Sequence, residues 1–256
     1  MALVREGRGA WPSAGYGGTL RTNLTPGPYY LYRPEMGWNG VGLAAPLRFI
    51  AGQDIPFDEL AVHLGVKGIQ TLLGRCEGIT ANPTVDGVFG PQTDRAVRQV
   101  QKLGSVTVDG VVGKNTMKTL MLLPILDTAS AYTTSWEAVY GILNWEGGWD
   151  PGAVGYIDRN DLGLSQVNTH AHPMVTVEEA FDPLWAINFI CGYLQNAANY
   201  LGGNVRDTVA SYNLGIGGAK QWIRDGRPDR WMPSWSSFER KPNEYIDRIL
   251  NAHKTK

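Results

Sequence analysis

The sequence predicts a mainly α-helical chain. A three-helix module comes before a larger helical domain, and an irregular arm precedes both. Three observations predict this. An Asp-Gly turn followed by a helical period occurs twice, at Val85 and Val108, 23 residues apart. Another helical period runs through residues 135–146 and stops at two glycines. Residues 1–42 hold nine Gly and four Pro and follow neither a helical nor a strand period.

Composition narrows the function classes. Of the 256 residues, 43% are hydrophobic and 18% charged, enough to bury real cores and to exclude wholesale disorder. A formal net charge of −1 gives no general case for binding nucleic acid or a membrane surface. No run approaches the roughly 18 apolar residues of a membrane-spanning helix. The opening stretch MALVREGRGAWPSAG contains no apolar core, so no secretory signal is expected. Two cysteines, Cys76 and Cys191, exclude a disulfide framework and read as buried thiols suited to a reducing compartment. Nine tryptophans suggest surfaces for carbohydrate or aromatic contact.

The arm, residues 1–57, carries Trp11, Tyr16, Tyr29, Tyr30, Tyr32 and Trp38. Two readings stay open. The arm packs on its neighbouring domain, or it orders against a partner protein through these aromatics.

The module covers residues 58–124. Its first helix is expected over 66–73. The second carries Ala96, Val97 and Val100 on one face, and the third carries Met117, Leu120 and Met121. Pro91 suits a first helical turn, and Gly87 and Gly110 suit turn positions with positive φ. IQTLL, then two DGxxG-x-x-T units with the helix-borne Gln101 between them, resembles the peptidoglycan-binding domain found beside many cell-wall hydrolases. The resemblance covers residues 58–123. Val100 stands where that family usually has Phe, an apolar change that touches packing. Taken singly, Asp86 and Asp109 read as turn builders. Binding of bacterial peptidoglycan is what the resemblance implies for the module as a whole.

Charge shifts after the module. Residues 61–125 hold seven basic and four acidic side chains, and residues 126–256 hold 11 and 15. With the turn-prone PILDTAS stretch, this places a linker at 125–132.

In the last segment, residues 133–256, Trp136, Val139, Ile142, Leu143 and Glu146 recur at helical spacing. Glu146 then ends the helix, at the unfavourable pole of its macrodipole, with Trp145 and Trp149 flanking it. Both effects favour a protonated carboxyl, the state a general acid needs. Further on come NDLGLSQVN at 160–168, VASYNLGIGG at 209–218 and NEYIDRIL from Asn243. With NWEGGWDPGA around Glu146, these motifs in this order resemble the lysozyme-like superfamily, most closely its lytic transglycosylase domain. The resemblance covers residues 133–252 and implies an α+β domain with a small β-hairpin holding Asp161 to Val167. It implies Glu146 as general acid and base, and Gln166 and Asn168 lining the saccharide cleft. Tyr212 and Asn213 would position the N-acetyl sugar, and Tyr245 would pack near the glutamate. Trp149, the aromatic that follows Glu146 in the motif, is expected on the substrate with them. Leu162 and Leu164 are expected in the core.

Lytic transglycosylases of this kind use one Glu and the substrate's own N-acetyl oxygen, and release a 1,6-anhydro sugar. Asp161 departs from their pattern, where that place is commonly small. In animal-type lysozymes, and in some secretion-associated transglycosylases, it is an Asp. A catalytic second carboxylate and a turn-building Asp both stay open, as do transglycosylation and hydrolysis by water.

Other chemistry is weakly supported. His63, His170, His172 and His253 form no His-Glu-x-x-His pattern. Asp158, Asn160 and Asp161 lack the later Glu of a calcium loop. No metal and no cofactor are therefore expected. Arg224, Arg227 and Arg230 with Trp222, Trp231 and Trp235 are interrupted by Asp225 and Asp229. They read as a cleft wall or lid facing a sugar polymer, not as a nucleic-acid surface.

The sequence thus reads as a glycosidase cutting the bond between N-acetylmuramic acid and N-acetylglucosamine, tethered to the wall by its module. It resembles a bacteriophage lysin, held in the host cytoplasm before release or carried on the virion, where the arm would contact other virion proteins. Two other classes stay open. One is a structural tail or wall-binding protein with an inactive lysozyme-like domain. The other is a metal-dependent amidase or peptidase.

Overall fold

The computed structural model describes residues 57–155, 159–234 and 236–254. The N-terminal arm, up to residue 56, lies outside the described residues, as do Asp158 and Trp235. Among the described residues are eight α-helices and one two-stranded antiparallel sheet. They divide into two compact units. The first holds the residues up to Leu122 together with Gly147–Ala186, and the second holds Leu123–Glu146 together with the residues from Ile187 on.

In the first unit, α1 (Phe57–Gly74), α2 (Pro91–Leu103) and the opening of α3 (Lys114–Ala131) build the three-helix module. The helix α1 starts at Phe57, well before the expected residue 66. The expected faces are buried: Ala96, Val97, Val100, Met117 and Met121 are fully enclosed. One polar node recurs in both repeats. The Gln70 amide nitrogen donates to Asp86 Oδ1 (2.8 Å), the Val88 carbonyl (2.9 Å) and Thr93 Oγ1 (3.2 Å). The Gln101 amide nitrogen donates to Asp109 Oδ1 (2.8 Å), the Val111 carbonyl (2.8 Å) and Thr116 Oγ1 (3.1 Å). Each glutamine oxygen accepts the backbone N–H of the turn glycine, Gly87 or Gly110. Those glycines have φ of 75° and 78°, as expected. Each Asp-Gly turn is thus held by the helix before it, and its buried polar groups are satisfied.

The helix α3 corrects one expectation. Residues 125–131 are not a linker but continue the helix through Pro124. Met121, Ile125 and Ala129 are buried at four-residue spacing, and that apolar stripe outweighs the hydrogen bond that Pro124 removes. Cys191 is buried, but Cys76 is only half-buried.

The rest of the first unit packs on α1. A Cβ on Gly65 would lie 3.1 Å from the Gly152 nitrogen, so the two backbones are in close approach. The strands β1 (Asp161–Leu162) and β2 (Val167–Asn168) pair antiparallel, Asp161 opposite Asn168 and Leu162 opposite Val167. Val154 bridges to Leu162 on the other side. Leu162, Leu164 and Val167 are buried, as an amphipathic hairpin requires. A short helix, α5 (Val177–Ala180), follows behind a Thr176–Glu179 capping box.

In the second unit, α4 (Trp136–Trp145) starts at Ser135, whose hydroxyl accepts from the Ala138 N–H. The helix α6 (Pro183–Leu201) contributes its length from Ile187 on. Then come α7 (Val205–Arg224) and α8 (Pro242–Asn251). The helix α8 packs on both α4 and α7. The helix α7 is broken at Gly215, with φ 70° and ψ 159°. No described helix is long and apolar enough to cross a membrane.

Candidate active site

Glu146 caps the C-terminus of α4, where its backbone N–H donates to the Ile142 carbonyl at 2.8 Å. The helix ends there because two glycines follow, Gly148 with φ 59°. The side chain is half-buried. Tyr245, in the first turns of α8, donates its hydroxyl to Glu146 Oε1 at 2.7 Å. Burial, and then the Glu146 charge, push the Tyr245 phenol well above its ordinary pKa. Burial first and the same charge second do this to Tyr212 on α7. Both rings therefore stay protonated at neutral pH beside Glu146. Asn213, next to Tyr212, is exposed and stands two residues before the break in α7.

Tyr193 on α6 completes the group and was not singled out by the sequence. Its hydroxyl donates to the Ser211 carbonyl at 2.7 Å. Its ring meets Tyr212 edge-on, with centroids 5.2 Å apart and planes at 74°. At its spacing from Ile190 and Leu194 it looks like another core aromatic. The available signal is that a half-buried Tyr, unlike Phe, needs a polar partner.

The hairpin in the first unit places the other expected residues. The Asn168 side chain donates from Nδ2 to Asp161 Oδ1 at 2.8 Å and accepts the N–H groups of His170 (3.1 Å) and Ala171 (3.0 Å). Gln166 sits in the hairpin turn with φ 47°, and its Nε2 donates to the Gly163 carbonyl at 2.8 Å. Gly163, φ 65°, allows that turn, and a Cβ there would overlap the Ala180 carbonyl oxygen. Trp149 departs from expectation. It is 2% exposed, so its ring presents no face to a substrate.

Two family models match the chain. The family described as Transglycosylase SLT domain matches residues 124–229, and the family described as "Putative peptidoglycan binding domain" matches residues 63–120. The chain carries a transglycosylase SLT domain. It is a peptidoglycan-degrading lytic transglycosylase with a peptidoglycan-binding domain. Comparison with curated proteins and with solved structures gave no match.

The SLT match holds Glu146, Asp161, Gln166, Asn168, Tyr212 and Asn213 but ends before Tyr245. It also ends amid the cluster of Arg and Trp residues, which the structure reassigns. Trp222 is fully buried and Trp231 nearly so, with their indole N–H groups bonded to the Pro228 carbonyl (3.0 Å) and Asp225 Oδ2 (2.8 Å). Arg227 makes a bidentate pair with the buried Asp207, and Arg230 pairs with Glu239. Trp222 and Trp231 thus hold a loop in place and offer no open ring face, Arg227 and Arg230 are tied to carboxylates, and Trp235 lies outside the described residues. A cavity of about 210 Å³ opens at the N-terminal end of α4, lined by Thr133, Ser135, Gln195 and Asn199 among others. It sits at the end of α4 opposite Glu146. Among the described residues, no three His, Cys, Asp or Glu side chains group as a metal site would need.

Proposed function

We propose that Glu146 is the sole acid and base of a lytic transglycosylase that cuts between N-acetylmuramic acid and N-acetylglucosamine. Its carboxylic acid gives a proton to the glycosidic oxygen as the bond from that oxygen to the muramic C1 breaks. The acetamido oxygen of the same sugar supports the cationic C1. The Glu146 carboxylate then takes the proton from the sugar's 6-hydroxyl, whose oxygen bonds to C1. The products are a 1,6-anhydro sugar and a new chain end, and no water is consumed. The observation that carries this reading is the Tyr245 hydroxyl on Glu146 Oε1. It orients the carboxyl and stabilises the charge that appears when the proton leaves.

Tyr212 and Asn213 hold the acetamido group, and Gln166 and Asn168 line the glycan path. Asp161 acts as a hairpin residue, since its carboxylate accepts from Asn168 across the strand pair. In the wider setting, the chain is a bacteriophage lysin. The pairing of a wall-binding module with this domain, behind an aromatic-rich arm, supports that setting.

Mass spectrometry of fragments released from purified peptidoglycan tests the chemistry. The expected products end in 1,6-anhydro-muramic acid, one water lighter than hydrolysis would give. Glu146→Gln should lower turnover about a thousandfold with the fold intact. Reducing muramic ends would make the enzyme a muramidase and return Asp161 to a catalytic role. Intact glycan strands would overturn the assignment of Glu146.

A further inference from the structure

The residue before Glu146 carries a second feature. Trp145 ends α4 and is 47% exposed. The guanidinium carbon of Arg248, on α8, lies over its ring, 4.6 Å from the centroid. One turn back on α8, Tyr245 reaches Glu146. Trp145 and the cap residue Glu146 are thus met by residues three apart on α8, which share one face of that helix. The arginine lies on the face of α8 that carries Tyr245, one turn further on, over the residue that precedes Glu146.

Arg248 differs from other arginines of this unit. Arg206, Arg227 and Arg230 each hold a carboxylate at 2.7–2.8 Å. Arg248 comes only within 3.9 Å of Glu244, and Lys241 holds that carboxylate at 2.9 Å. The Arg248 side chain is 53% exposed. A guanidinium placed over an aromatic face keeps its five N–H donors for a planar anion, and a carboxylate fits that fork.

We propose that Trp145 and Arg248 form a carboxylate subsite beside Glu146, which binds an acidic peptide stem of the glycan substrate. This rests on the peptidoglycan reading above and adds a selectivity that the bond-breaking chemistry does not require. Trp145 fixes the guanidinium, and Arg248 grips the carboxylate, so stem-bearing strands are favoured over strands stripped of peptide.

The test compares kcat/KM of the full chain on intact peptidoglycan strands and on the same strands after enzymatic removal of the stems. Arg248→Met keeps an apolar stem over Trp145 but loses the charge. The ratio of intact to stripped strands should fall about tenfold, the value of one charge-assisted contact. Arg248→Lys should recover part of it, as a cation without the planar fork. Raised salt should lower the wild-type ratio and leave that of Arg248→Met unchanged. Equal losses on both substrates would make the pair a packing contact and overturn the proposal, as would an unchanged ratio. Wild-type protein inactive on both substrates would instead overturn the glycosidase reading.

Discussion

Gly141→Ala should be destabilising, against the ordinary rule for a helix interior. Ala is favoured there over Gly by about 1 kcal/mol. Gly141 lies mid-way along α4, where α8 crosses it. A Cβ at that position would overlap the Ile249 carbonyl oxygen and stand 2.6 Å from the Ile249 carbonyl carbon and 2.8 Å from its Cα. Ordinary contact begins at 3.4 Å, so α8 must retreat by most of an ångström. The obstacle is backbone, which no rotamer change removes. Overpacking of this kind costs about 1–3 kcal/mol, and backbone contact belongs at the upper end. Net of the helix gain, about 2 kcal/mol is lost, or about 4–8 °C in Tm for a chain of this length. Gly192→Ala on α6 is the matched control. Its Cβ would meet only Tyr132 Cε1, at 3.7 Å, an ordinary contact. That variant should gain about 0.5–1 kcal/mol. Activity adds a second readout. Ile249 is one turn beyond Tyr245, so the displaced helix draws the hydroxyl away from Glu146. Gly141→Ala should lose more than about tenfold in kcat at temperatures where it stays folded. Equal melting temperatures for the two alanine variants, with wild-type turnover in Gly141→Ala, would refute the reasoning.

Three further outcomes follow from the same geometry. Tyr245→Phe should lower kcat by about 10–100-fold with little change in KM, measured on peptidoglycan strands, since it removes a hydrogen bond to a charged group. Gln101→Leu should destabilise the module by about 2–4 kcal/mol in denaturant melts, because it strands the Asp109 turn and the Gly110 N–H together. For His63, burial and then the Lys67 charge hold the imidazole down to about 4 from 6.5. The folded chain keeps it neutral in a range where the unfolded chain takes up a proton. Stability is therefore full above pH 6.5 and is withdrawn as pH falls from 6.5 to 4, and His63→Leu should flatten that part of the melting profile.

The helical parts of the site were legible where one local rule decided them. The period through Ile142 and Leu143, with the glycine stop, placed Glu146 at a helix end without any tertiary information. The Asp-Gly repeats placed both turns, although the recurring Gln70 and Gln101 node was visible only once the turns were folded. Local rules failed where burial outweighed them. Pro124 reads as a break, yet Ile125 and Ala129 bury deeply enough to carry the helix through it. The mix of Trp222 and Trp231 with three arginines reads as an exposed binding wall. Their indole nitrogens instead find internal acceptors, and two of the arginines find carboxylates. Tyr193 and Arg248 matter through partners 19 and 103 positions away along the chain, and no short window contains such pairs.

In the proposed mechanism a single carboxyl serves as both acid and base, and the surroundings of Glu146 bear on how it would do so. A neighbouring carboxylate would resist the loss of the Glu146 proton, because it would set two negative charges side by side. The Tyr245 and Tyr212 phenols carry no charge at neutral pH, and one of them donates directly to Glu146. Such neighbours stabilise the carboxylate once it forms and leave it able to recover a proton from the sugar's 6-hydroxyl. Their own high pKa values serve that cycle: burial and the Glu146 charge make each phenol a poor proton donor in the full sense and a persistent hydrogen-bond donor. In the proposed mechanism the tyrosines steady the charge on one glutamate without joining the proton transfer, and the support of C1 that a second carboxylate gives in other glycosidases falls to the substrate's acetamido oxygen.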